Sequence, residues 1–151
     1  MDLGSIDTLK ELSIQSGSVF YMRFYLKDNV VPKLAGDKYR DKYFVILGKD
    51  SEGSYIALSL INSEINENLK SRIGHYQHQI KQDDYSFLRG KDRYVDCYSI
   101  KEVSASRILE LGEYKGMLND DDLAKVIELV NTSPKISVAI LKQYSLLKSQ
   151  E

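Results

Sequence analysis

A chain of 151 residues, 42% hydrophobic and 28% charged, has the length of a single domain and too much apolar content for disorder. A net charge of −1 excludes a protein that coats nucleic acid by bulk charge. A lone cysteine, Cys97, excludes an internal disulfide framework and suits a reducing, cytoplasmic setting. The longest apolar runs, such as Tyr43–Leu47, are far too short for a membrane span, and the acidic opening MDLGSIDTLKEL is unlike a signal peptide.

In chain order, Ser5 or Asp7 caps a predicted short helix reaching about Gln15, ended by Gly17. Ser18–Leu26 (SVFYMRFYL) alternates and is rich in aromatic and branched residues, a strand signal. A loop holding Pro32 and Gly36 leads to Asp41–Leu47, a nearly continuous apolar strand, and Gly48–Ser54 turns the chain into Tyr55–Ile61. Strands are also predicted at His78–Gln82 and Arg93–Ile100, with Val103–Leu109 continuing the same sheet. Beyond Gly116 the period becomes helical. Asn119, followed by Asp120, Asp121 and Asp122, starts one helix, and Ser133 with Pro134 starts another. Strands precede helices without alternation, so the fold class is α+β: residues 1–16 a helix, 17–116 a small, strongly bent antiparallel sheet, 117–151 two helices, all in one domain.

Chemistry-bearing motifs are sparse. The chain has no phosphate-binding glycine loop, no HExxH and no CxxC. Cys97, inside an alternating strand, reads as a core thiol. His75 and His78 would share a face on a helix but point apart on a strand, and only Asp83 and Asp84 stand near as further ligands, so neither a metal nor another cofactor is expected. The acidic triplet at 120–122 reads as helix capping. Charge is uneven: residues 18–50 carry seven basic and four acidic side chains, and residues 66–93 six and four. Brought together, these stretches would form a modest basic face suited to a polyanion; kept apart, they are solvated charges. Eleven tyrosines and no tryptophan complete the pattern.

The order of GSVFYMRFY, KYRDKYFVILG, SYIALSLINSEIN, FLRGKDRYVDCYSIKEV and GMLNDDDLAKVIELV resembles the MazF/PemK-like family of bacterial toxins, SH3-like β-barrels that act as ribonucleases. The resemblance runs from about Gly17 to Val130. It implies that Arg40 is the active-site arginine, stabilising phosphoryl charge while a 2′-hydroxyl attacks the adjacent phosphorus. The family's proline after that arginine is Asp41 here, a residue able to pair with Arg40 or Lys42. Its threonine is replaced by Asn62 followed by Ser63, and Asp96 stands where some members carry an acid. On this likeness Arg40, Asn62 and Ser63 are the catalytic candidates. Lys38, Lys42, Arg72, Arg89 and Lys91 would steer single-stranded RNA, and Tyr39, ahead of Tyr76, Tyr85 and Tyr114, would stack on its bases. The resemblance also implies a homodimer and an acidic antitoxin partner. The alternative is a barrel that kept the fold, lost the chemistry and binds a peptide, a protein or nucleic acid.

Overall fold

The computed structural model describes residues 13–28, 30, 36, 38–65 and 73–148. Seven antiparallel strands run as β1 (Ser18–Tyr25), β2 (Tyr39–Lys49), β3 (Tyr55–Asn62), β4 (Gln77–Ile80), β5 (Arg93–Asp96), β6 (Lys101–Ser104) and β7 (Glu113–Met117). Three helices complete the described chain: α1 (Ala105–Leu111), α2 (Asp120–Thr132) and α3 (Val138–Gln143). The predicted N-terminal helix lies almost wholly outside the described residues, and its last predicted turn, from Ser13, is a turn rather than a helix.

Hydrogen bonding follows the order β4–β5–β3–β2–β1–β7, and β6 shares with β5 the outer edge of β3. Because β4 and β7 do not pair, the sheet is not closed among the described residues; the SH3-like barrel implied by the resemblance is corrected to a bent sheet covered on both faces. Two bulges bend it, one in β7 at Lys115, opposite Val19 and Phe20 of β1, and one in β2 between Ile46 and Gly48. Gly17 takes φ +95°, a conformation glycine adopts without steric cost, and so opens β1: its N–H bonds the Ile46 carbonyl and its own carbonyl accepts from Leu118.

β2 reads as a continuous apolar run because both its faces are buried. Phe44 and Ile46 join Phe20, Met22, Phe24, Ile56, Leu58 and Ile108 of α1 in one core. Val45 and Leu47 join Val19, Ile61, Val95 and Cys97 in a second core, roofed by Val126 and Val130 of α2 and by Leu141 and Tyr144. Cys97 is fully buried there and burial pushes its thiol up to about 12, so it packs as a small hydrophobe.

Three local expectations are corrected. Of residues 103–109 only Val103 and Ser104 continue the sheet, as the end of β6: Ser104 accepts from the Arg107 N–H and caps α1, so the strand turns straight into a helix. The chain also breaks after β5, where Asp96 accepts from the Tyr98 N–H at 2.9 Å and from Ser99 Oγ at 3.2 Å. The last helix is capped by Ser137, not Ser133; the Ser133 hydroxyl instead donates to the Tyr98 carbonyl and ties the α2 exit to the β5–β6 break.

Candidate functional site

Strand alternation sets Arg40 and Lys42 in phase with Phe44 and Ile46, and Asp41 and Tyr43 in phase with Val45. Lys42 is therefore a cation in a core-facing position, only 7% exposed. Its ammonium donates to Asn62 Oδ1, from the facing end of β3. Burial first, then the neighbouring Arg40 guanidinium, holds the Lys42 ammonium down at about 8, with Arg93 and Lys101 adding repulsion and Asp96 opposing it. That carboxylate is already committed: besides its own turn it accepts from Gln77 Nε2 at 2.9 Å. Asp41 pairs with neither Arg40 nor Lys42. Its partner is Arg23, at 3.4 Å, and no ion pair or hydrogen bond holds the Arg40 side chain among the described residues.

A cleft of about 130 Å³ opens where the start of β2 passes the ends of β3 and β5. Arg40 and Lys42 border it, and Tyr21, Tyr43, Ser63 and Arg93 line it with Asp41. Arg93 lies with its guanidinium carbon 5.2 Å from the Tyr43 ring centre, and its Nε is buried without a hydrogen-bond partner among the described residues. The Tyr21 and Tyr43 rings meet at 4.6 Å on the same side. Cations thus gather at one end of the sheet with little carboxylate to neutralise them, an arrangement that can hold an anion.

Of the residues singled out in the sequence, Arg40, Lys42 and Ser63 line this cleft, and Asn62 adjoins it through Lys42. Lys38 and Tyr39 are exposed at the entry to β2 and do not line it, and the Arg23 guanidinium sits 3.5 Å over the Tyr39 ring. Arg89 and Lys91 occupy an exposed turn before β5, away from the lining, and Arg72 falls outside the described residues. Tyr85 is buried and cannot stack on a base. Arg93 was not a candidate. Its signal was the period of RYVDC, which puts Arg93 in phase with the core residues Val95 and Cys97.

The histidines do not act together. His78 Nε2 lies 2.8 Å from Asp122 Oδ1, while His75 rests against the Tyr76 ring at 3.9 Å. Among the described residues no three His, Cys, Asp or Glu side chains gather to hold a metal ion.

No family model matches the chain, and no curated protein matches it. The crystal structure of MazE–MazF from Deinococcus radiodurans does, with a TM-score of 0.53 over 80% of this chain and 94% of that one, at 12% identity. The fold is similar to MazF. At that identity the likeness is one of architecture, so the MazF-like sheet says where a site can be built and the side chains must say what it does. No helix among the described residues is long and apolar enough to cross a membrane.

Proposed function

We propose that this protein is the toxin of a toxin–antitoxin pair, a metal-independent endoribonuclease acting on single-stranded RNA. The observation that carries the reading is the Arg40 side chain, uncommitted to any described partner, beside the Lys42–Asn62 pair at the open end of a MazF-like sheet. In the reaction the 2′-oxygen of the RNA forms a bond to the adjacent phosphorus and the bond to the 5′-oxygen breaks. The attacking hydroxyl loses a proton and the departing oxygen gains one. Arg40 binds the non-bridging oxygens, where negative charge grows, and Lys42 adds a second positive charge two residues along the same strand. The Asn62 amide keeps its N–H donors for the same phosphate, because only its oxygen is taken by Lys42. A homodimer and an acidic antitoxin segment that covers the cations belong to this proposal, as does action in the cytoplasm.

The proton acceptor is the open position. Asp96 is engaged by three donors, which favours a second reading: a MazF-like module that binds a nucleic acid, a peptide or another protein and does not cut. Incubation with single-stranded and structured RNA in chelator separates the two. Discrete fragments from the wild type, reduced at least 100-fold in Arg40→Ala, support the nuclease; an uncut substrate at high protein concentration leaves the binding module.

A further inference from the structure

The cleft carries a second cationic element that the nuclease reading does not use. Arg93 enters from β5, on the opposite side of the β2 start from the Lys42 ammonium, and Ser63 stands beside it in the lining. Its Nε is buried with no hydrogen-bond partner among the described residues, so the terminal amino groups, which no described hydrogen bond engages, are what Arg93 offers to the cleft. The guanidinium lies over the Tyr43 ring, 5.2 Å from its centre, a cation–π contact that holds the charge at the cleft wall. A cleft of about 130 Å³ is several water volumes, room enough for a phosphoryl group. The Ser63 hydroxyl has no described hydrogen bond and can donate to it. Among the described lining residues only Asp41 opposes an anion, and its carboxylate is paired with Arg23 at 3.4 Å.

We infer that Arg93, with Ser63, seats a second phosphodiester of the bound strand, next to the one at Arg40, and that Asp41 sets how tightly it is held. This rests on the reading of the molecule as a binder of single-stranded RNA, but not on its cutting. A strand laid over the start of β2 would then be gripped from both sides of that strand, fixing the register of the phosphate presented to Arg40. Arg93 and Ser63 position the substrate; Arg40 meets the reacting group.

The test uses a fluorescent single-stranded 2′-O-methyl RNA decamer, which lacks the attacking hydroxyl, with anisotropy recorded across a salt series. Arg93→Gln is expected to weaken binding about fivefold or more and to reduce the slope of log affinity against log salt by about 0.7, one phosphate contact. Arg93→Lys should keep the slope but not the full affinity, because an ammonium supplies the charge without the fork. Asp41→Asn should tighten binding about threefold, by removing a like charge. Unchanged affinity and slope in Arg93→Gln overturns the inference, as does a wild type that binds inorganic phosphate but no oligonucleotide. If Arg93→Gln does not fold, as judged by its thermal melt, Asp41→Asn and Ser63→Ala decide the matter, and indifference of both sinks it. Arg93-dependent binding with intact unmodified RNA would leave the seat standing and remove the nuclease.

Discussion

Lys42 is the residue at which stability and binding pull in opposite directions. A buried ammonium facing Arg40 is disfavoured in the folded chain, so its folded value of about 8 lies below the ordinary 10.5. Between those values the unfolded chain binds the proton and the folded chain does not, so stability rises with pH across that window; below about pH 8 the full penalty is present. Lys42→Met, which fills the same space without charge, is expected to be the more stable protein at pH 7. Its advantage should shrink by about 2 kcal/mol by pH 10, read from urea unfolding at the two pH values. The same variant should bind oligonucleotide more weakly at pH 7. Lys42 and Arg93 were both legible as anomalies in the sequence, because each is a charge in phase with core residues of its strand. What could not be read was that the two phases converge on one cleft, since β2 and β5 are joined only through β3. Tyr39 and Arg40, adjacent in sequence, face opposite sides of the strand, and the Arg23 guanidinium packs on one face of the exposed Tyr39 ring.

At the scale of elements, the start of α2 does more than cap a helix. Asn119 Oδ1 accepts from the Asp122 N–H at 2.8 Å, the expected cap. Asp122 then receives the Tyr85 hydroxyl at 2.5 Å and meets His78 of β4, and the Asn119 N–H donates to the same Tyr85 oxygen at 3.0 Å. Burial and the Asp122 carboxylate raise the Tyr85 phenol well above its ordinary value, so it stays a hydroxyl donor through neutral pH. Tyr85→Phe removes one donor and leaves an N–H unpaired. It should cost about 1–3 kcal/mol, measured as a lower denaturation midpoint with an unchanged slope. The acidic triplet was rightly read as a helix start, but its third member is also the tether between helix and sheet. α1 and β7 escaped the sequence for a different reason: at seven and five residues they are too short to establish a period.

Across the whole molecule, the sheet works because helices close both of its faces. The bulge before Gly48 brings β2 against the chain leaving α3, where a Cβ would stand 2.5 Å from the Tyr144 carbonyl oxygen. Gly48→Ala therefore forces backbone apart, and a loss of at least about 2 kcal/mol is expected by calorimetry or urea unfolding. Tyr144 also donates its hydroxyl to Glu102 of β6 at 2.8 Å, so that loss would loosen the seam between the C-terminal segment and the sheet.

Local chemistry was enough for the sequence to determine the α+β class, the three long strands and the α2 cap, whereas Arg40 stood out only through a family resemblance. Alternation, caps and turn residues act within a few positions and need no distant partner. Tertiary structure alone decided that the sheet stays open, that Asp41 belongs to Arg23, that Asp96 belongs to its own turn, and that Arg93 enters the cleft beside Ser63. Each of these depends on which strand lies beside which, and pairing between distant segments sets the neighbours of a charge in a way no short window of sequence contains.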